Sequence, residues 1–243
     1  MQSINFSHYR KIVVLTGAGV SAASGIRPFR GQGGLWNELD PLAYSDCSLL
    51  ETNPMAIWQL YGALRKQLET APLNAAQIKL AEVEAQLSPN QQFTLITQNI
   101  DGLHQRAGSS NVLEIHGSVH RTRCGNSTCN LMPYLDSEPH DDVLPTCKIC
   151  GSPLRPDIVL FGEQLPAKES WLAKRTLRDC DLFVAIGTSG TVSPASSFVR
   201  SADYAGARTI LINLEPMEPK NPYFKEEYLG YAEELVPAIF GAT

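Results

Sequence analysis

The chain has 243 residues, 43% of them hydrophobic and 19% charged, with a formal net charge of −5. These values fit a soluble globular protein with a full core, in one large domain or a domain with a small insert. They exclude the basic footprint of a dedicated nucleic-acid binder, and no apolar run nears the ~20 residues that span a bilayer. The N-terminus "MQSINFSHYRK" lacks the apolar stretch of a secretory signal, so a cytoplasmic location is expected.

The first element is "KIVVLT" (11–16), a short β-branched run that reads as a buried strand. It leads into Gly17-x-Gly19-x-x-Ala22, the relaxed form of a dinucleotide-binding turn. There the first glycine permits the turn, and the second lets the backbone approach a pyrophosphate. An ordinary strand-to-helix turn is the competing reading. A dehydrogenase would add an acidic residue about 20 residues later, at a strand end. Glu38 and Asp40 stand at that distance but in a loop, whereas Glu215 in "LINLEP" follows a strand.

A helix is expected over 54–71, with Asn53 as cap, Pro54 in its first turn, and an apolar stripe of Ile57, Leu60, Tyr61, Leu64 and Leu68. A second is expected over 75–87, with Ala76, Leu80, Val83 and Leu87 on one face. Strand "FTLIT" (93–97) precedes "TQNIDGLH", where Gln98, Asn99, Asp101 and His104 crowd a strand end. Amides and carboxylates placed so suit an amide-bearing ligand such as nicotinamide. "EIHG" adds Glu114 and His116, and a histidine there is a candidate general base. For His104 and His120 a loop hydrogen bond is the preferred reading.

Among six cysteines, Cys124-x4-Cys129 and Cys147-x2-Cys150 form two pairs on two turns, the spacing of a closed S4 zinc site. Two disulfides or four free thiols are the alternatives. Four thiolates leave no open position, so the zinc is expected to be structural. Cys47 reads as a loop thiol and Cys180 as a core residue. Further on come a helix near 167–178, strand 182–187, a second Gly/Ser/Thr loop "GTSGTVSPAS", and a helix over 193–206 capped by Ser193 with Pro194 in its first turn. Strand 209–213 and a last helix near 231–240 complete the series. Alternating strands and helices argue for a doubly wound parallel sheet, an α/β fold.

Together "GAGVSAASGI", "FRG", "GLW", "TQNIDGLH", "EIHGS", the four cysteines, "RPDIVLFGE", "GTSGTVSPA", "INLEP" and "GYAEELVP" resemble the sirtuin (Sir2) family of NAD-dependent protein deacylases, in the family's order and over nearly the whole chain. The short form is similar to bacterial members. The resemblance implies a Rossmann-like NAD-binding domain (1–31, 89–121 and 157–243). It also implies a smaller inserted domain, made of a helical module (32–88) and a zinc-ribbon module (122–156). NAD and an acylated lysine would meet between them.

Carried over residue by residue, Gly17, Ala18, Gly19 and Ser21 would serve the pyrophosphate turn. Phe29, Arg30 and Trp36 would belong to the cofactor loop. Gln98, Asn99, Ile100 and Asp101 would line a nicotinamide pocket. Gly187, Thr188 and Ser189 would face the cofactor, with Asn213, Glu215 and Ala232 at its adenosine end. His116 would be the base acting through the ribose hydroxyls, and Asn99 would orient ribose or water. Val159, Phe161, Gly162 and Glu163 would bind the peptide as an added strand, with Tyr61 and Leu64 at the acyl group. Cys124, Cys129, Cys147 and Cys150 would hold zinc. The products would be nicotinamide, O-acyl-ADP-ribose and free lysine. An NAD glycohydrolase or ADP-ribosyl transferase on the same scaffold is the rival activity. No nucleic-acid site, membrane association or particular oligomeric state is implied.

Three segments depart from the family pattern. "GIRPFR" carries Arg27 and Pro28 where many members have Pro-Asp or Pro-Thr, and Gln77 stands where many have histidine. Members that prefer acidic acyl groups carry Tyr-x-x-Arg, but here Tyr61 is followed at that spacing by Leu64, with Arg65 one residue on. One residue turns a helical side chain by about 100°, so Arg65 is expected off the Tyr61 face. Acetyl or other apolar acyl groups are then favoured over succinyl.

Overall fold

The structure, a computed structural model, describes residues 3–28, 34, 37–190, 193 and 195–241. Its strands are β1 (Lys11–Thr16), β2 (Gln92–Thr97), β3 (Val112–Glu114), β4 (Gly117–Cys124), β5 (Tyr134–Leu135), β6 (Leu154–Ile158), β7 (Leu182–Ile186), β8 (Arg208–Asn213) and β9 (Glu226–Leu229). Its α-helices are α1 (Pro41–Ser45), α2 (Leu49–Thr52), α3 (Pro54–Thr70), α4 (Ala75–Gln86), α5 (Leu103–Arg106), α6 (Ala167–Leu177), α7 (Phe198–Tyr204) and α8 (Ala232–Phe240).

The main sheet runs β3-β2-β1-β7-β8-β9, with every pairing parallel. Its central strands are apolar along their length because helices cover both faces. Alternate residues divide between two cores. Ile12, Val14, Leu95, Val184, Ile186, Ile210 and Ile212 pack against α4 and α8. Val13, Leu15, Ile96, Phe183, Ala185 and Leu211 pack against α6 and α7. The chain winds outward from β1 to β3, then returns to place β7 on the other side of β1. Strand order therefore reverses between β1 and β7. In such sheets the loops leaving the two strands diverge there and open a crevice at their carboxyl ends.

The second sheet is antiparallel, β5-β4-β6. It begins at Gly117 and ends at Ile158, so its strands overlap the expected boundaries at 121/122 and 156/157. Helix α3 lies against it and buries a wider face than the expected stripe: Trp58, Gly62 and Arg65 are buried along with Ile57, Tyr61 and Leu68. Leu60 and Leu64 are only partly buried. Trp58 donates from its indole N–H to the Leu154 carbonyl (2.9 Å).

Arg65 is a buried cation. It donates to the carbonyls of Val119 (2.7 Å), Glu138 (2.5 Å) and Arg121 (3.2 Å) and to Thr122 Oγ1 (2.9 Å), with Asp136 at 3.4 Å. A buried guanidinium is tolerable only when its donors are satisfied in this way. The residue after the acidic-acyl position thus pins α3 to the antiparallel sheet.

Several expectations need correction. The loop after β1 enters a 3-10 turn (Ala18–Ser24) closed by Gly25 at φ +80°, not an α-helix. The helix expected over 193–206 is a 3-10 turn (Ala195–Ser197) running into α7, and Pro194 lies outside the described residues. Gln77, by contrast, supports its helix as expected of that position, completing a capping box. Its Oε1 accepts from Asn74 N (3.0 Å) and Ser24 Oγ (3.1 Å), which ties α4 to that first 3-10 turn.

Candidate functional site

The crevice at the β1/β7 switch point is the mouth of a cleft of about 910 Å3. Its floor is the pair of glycine loops. A Cβ at Gly17 would fall 2.6 Å from the Gly187 carbonyl oxygen, and one at Gly19 would fall 2.8 Å from the Gly187 Cα. Gly187 itself sits at φ +60°. The Gly17 and Gly19 N–H groups donate to the carbonyls of Ile186 and Gly187 (3.0 Å each). These glycines therefore let two loops interlock, and the bare backbone that results lines the cleft. Gly19→Ala should lower the unfolding free energy by about 1–3 kcal/mol, the usual cost of overpacking, as read by denaturant titration.

The wall above is built from the ends of β2 and β3. Gln98 donates from Nε2 to Thr188 Oγ1 (2.9 Å), linking the wall to the second glycine loop. Asn99 donates from Nδ2 to the Gly17 carbonyl (3.0 Å) and to Ser21 Oγ (3.3 Å). Ser21 in turn donates to Asp101 (2.7 Å), whose other oxygen accepts the Leu103 N–H (3.0 Å). Gln98, Asn99 and Ile100 line the cleft, while buried Ser21 and Asp101 stand behind it and fix Asn99.

His116 lines the cleft beside them. Its Nδ1 is 2.9 Å from the Gln98 carbonyl, an acceptor only, so Nδ1 carries the proton and Nε2 keeps its lone pair. Burial lowers the His116 pKa, opposed by the Gln98 hydrogen bond. This is a neutral imidazole suited to act as a base. His104 is a different case. It is buried with Nε2 3.0 Å from Thr16 Oγ1, and burial brings it down to about 4, so it is a neutral core histidine. His120 likewise donates from Nε2 to the Asp101 carbonyl (2.9 Å).

The opposite wall is the segment after β6. Val159, Phe161, Gly162 and Glu163 all line the cleft. Much of this segment's backbone is already paired. Val159 N–H donates to the His116 carbonyl (2.9 Å), Phe161 N–H to that of Ser45 (2.8 Å), and Cys47 N–H to that of Phe161 (2.9 Å). The Glu163 carboxylate accepts two bonds from buried Arg155 (2.5 and 2.8 Å) and one from Leu160 N–H (2.8 Å). Burial raises the Glu163 pKa, but these bonds outweigh it and the net shift is downward. Glu163 therefore shapes the loop as an anion held from within.

At the far end Gly187, Thr188, Ser189, Asn213, Glu215 and Ala232 line the cleft as expected, joined by Tyr231 and Met217. Glu38 and Asp40 are elsewhere. Glu38 forms a two-point ion pair with Arg27 (2.7 and 3.1 Å), and Asp40 caps α1 at Leu42 N (2.9 Å). Tyr61 lines the cleft; Leu64 does not, and it packs in the apolar cluster behind. Phe29, Arg30 and Trp36 lie outside the described residues. Pro28 and Ser45 also reach the cleft. Sequence reasoning gave Ser45 no role, because nothing in "PLAYSDC" marks a serine that meets Tyr61 across 16 residues.

The four expected metal ligands come together. All four Sγ atoms lie within 4.8 Å of one another, with Cys124–Cys150 at 3.5 Å and Cys129–Cys147 at 3.7 Å. A tetrahedron with Zn–S bonds of about 2.3 Å has S···S edges of about 3.8 Å, so the donor set fits zinc in number, type and size. None of the four lines the cleft. Cys47 lies against Gly162, and Cys180 is buried.

Comparison with known proteins agrees with this geometry. The Sir2 family model matches residues 17–194. The "NAD-dependent protein deacylase 2" of Pyrobaculum aerophilum is 43% identical over 231 residues, 95% of this chain and 90% of that protein. Among solved structures, a Sir2 homologue mutant in complex with ADP-ribose superposes with a TM-score of 0.89 at 35% identity, covering 97% of this chain and 92% of that one. A Sir2 homologue in complex with NAD gives 0.87 at 34% identity, covering 99% and 94%. With a glycine-floored cleft, an asparagine–histidine wall and a cysteine tetrad in one Sir2 fold, this chain belongs to the Sir2 (sirtuin) family.

Proposed function

We propose that this chain is an NAD-dependent protein-lysine deacylase that prefers acetyl or another apolar acyl group to succinyl. One observation carries the reading. A single cleft joins the interlocked glycine loops, the Asn99–His116 wall and the half-paired segment 159–163. The NAD-bound homologue and the deacylase relative support it.

When bound, NAD supplies a ribose carbon that accepts the acyl oxygen as nicotinamide leaves. The chain does the rest. The bare backbone at Gly17, Ala18 and Gly19, with Gly187, Thr188 and Ser189, admits the pyrophosphate closely. Phe29, Arg30 and Trp36, which lie outside the described residues, are assigned to the cofactor loop by family resemblance alone, and Asn213, Glu215 and Ala232 receive the adenosine end. Gln98, Asn99 and Ile100 line the nicotinamide pocket, with Ser21 and Asp101 fixing Asn99. Asn99 orients the ribose or the attacking water. His116 Nε2 takes a proton from a ribose hydroxyl, so that the hydroxyl oxygen can attack the acyl carbon. One water would be consumed as the bond between the acyl carbon and the lysine nitrogen breaks, so that the products would be nicotinamide, O-acyl-ADP-ribose and free lysine.

An acylated peptide adds to the edge at the Val159 carbonyl and Gly162, since the Val159 N–H is spent on His116 and the Phe161 backbone on Ser45 and Cys47. Glu163 holds that edge through Arg155. Tyr61 meets the acyl group and Leu64 backs the pocket. The cysteine tetrad suits a structural zinc, which no step requires. A cytoplasmic setting, as the sequence suggests, gives the reducing conditions in which such thiolates persist. No helix among the described residues is long and apolar enough to cross a membrane.

The test is NAD turnover with and without an acetyl-lysine peptide, following nicotinamide and peptide mass together. Nicotinamide release that depends on the peptide and matches its deacetylation is expected. Equal release without peptide would favour a glycohydrolase instead.

A further inference from the structure

The acyl end of the cleft contains a hydrogen bond that the chemistry above does not use. Ser45 Oγ and Tyr61 Oη are 2.5 Å apart, both side chains are buried, and both residues line the cleft. Burial pushes the Tyr61 phenol up to about 12, so both groups are neutral hydroxyls. Ser45 is in turn fixed to the opposite wall. Its carbonyl accepts the Phe161 N–H, and Asp46 bridges Phe161 in parallel register.

The rest of the surroundings is apolar or already committed. Tyr61 packs in one cluster with Ile100, Ile158 and Leu160. Arg65 spends its donors on the carbonyls of Val119, Arg121 and Glu138 and on Thr122. Arg155, whose charge reaches Tyr61, is held at two points by Glu163. No Lys or Arg is among the described residues that line the cleft.

We propose that Ser45 is a specificity-determining residue of the acyl pocket. Its hydrogen bond to Tyr61 Oη takes up hydrogen-bonding capacity that would otherwise face the acyl chain, so that unsubstituted alkyl acyl groups are selected over chains bearing a distal hydroxyl or carboxylate. The argument rests on the deacylase reading. A buried hydroxyl that loses its partner discriminates strongly in favour of ligands that supply one. Removing the Ser45 hydroxyl therefore exposes the Tyr61 hydroxyl to the acyl chain.

The experiment compares butyryl-lysine with 3-hydroxybutyryl-lysine in the same peptide, which differ by one hydroxyl. Wild type, Ser45→Ala, Tyr61→Phe and the double variant are each assayed for kcat/KM with NAD. The same peptides are also measured for Kd by fluorescence anisotropy without NAD. Wild type should favour butyryl, and Ser45→Ala should move both ratios toward 3-hydroxybutyryl by about tenfold. Tyr61→Phe leaves the Ser45 hydroxyl unpaired instead and should move the ratios the same way, whereas the double variant, which has neither hydroxyl to satisfy, should show no such gain. A Ser45→Ala ratio unchanged from wild type, or a shift that survives in the double variant, overturns the proposal. If wild type consumes no acyl peptide with NAD, the deacylase reading fails, and the NAD-free Kd ratios still decide the role of Ser45.

Discussion

His116→Ala is expected to cut NAD-dependent deacylation by about 10^2–10^4-fold, the range for losing a positioned general base, while the thermal midpoint stays near that of wild type. The geometry gives the reason. The Gln98 carbonyl fixes the proton on Nδ1, which leaves Nε2 as the basic atom on a residue that lines the cleft. Its side chain is only partly buried and borders the cleft, so truncation costs little packing. The pH profile of wild-type kcat/KM carries a second signature. Burial lowers the His116 pKa despite the bond to Gln98. The active form is the neutral one, so activity is present above the folded-state pKa and falls as pH drops through it. The acid limb should lie on the acidic side of the ordinary histidine value of about 6.5. Peptide consumed equally fast by the variant, or an acid limb above that value, would remove His116 from the role of base.

Much of this site is legible in the sequence because local chemistry dictates it. A β-branched run ending in two spaced glycines predicts a strand and a turn, and β1 with its interlocked loop is what forms. Two cysteine pairs at knuckle spacing predict a tetrad whatever the path between them, and the sulfurs converge. What sequence does not carry is the outcome of contacts between distant segments. β9 is an edge strand, "EEYL", half exposed and without an apolar pattern, and its pairing with β8 alone defines it. β4 and β6 hold arginines and a proline, yet they pair: Arg121 of β4 meets Glu114 and Asp157, and Arg155 of β6 is held by Glu163. Leu64 reads as pocket-lining by helical spacing from Tyr61. In the structure it does not reach the cleft and packs half-buried against the apolar cluster that holds Tyr61. The rotation of Arg65 off the Tyr61 face does follow from 3.6-residue periodicity. Its clasp on the antiparallel sheet does not.

That clasp gives the cysteine tetrad consequences beyond its own module. Cys124 and Cys147 are buried in one apolar cluster with Trp58 and Leu154. Trp58 bonds Leu154, Arg65 bonds the Arg121 and Glu138 carbonyls, and the same helix presents Tyr61 to the cleft. Cys147→Ser should abolish stoichiometric zinc, measured by elemental analysis as one ion per wild-type chain. It should also lower the thermal midpoint by about 10 °C, since a structural zinc contributes several kcal/mol and a chain of this size shifts about 2–4 °C per kcal/mol. Deacylation should fall with it, although no cysteine touches the cleft, because α3 loses the surface that holds Tyr61 against Ser45. A strong chelator on wild-type protein should reproduce both effects, and added zinc should reverse them for wild type but not for the variant. A metal-free wild-type chain that melts and deacylates like the zinc-loaded one would show that the tetrad does not support the pocket helix.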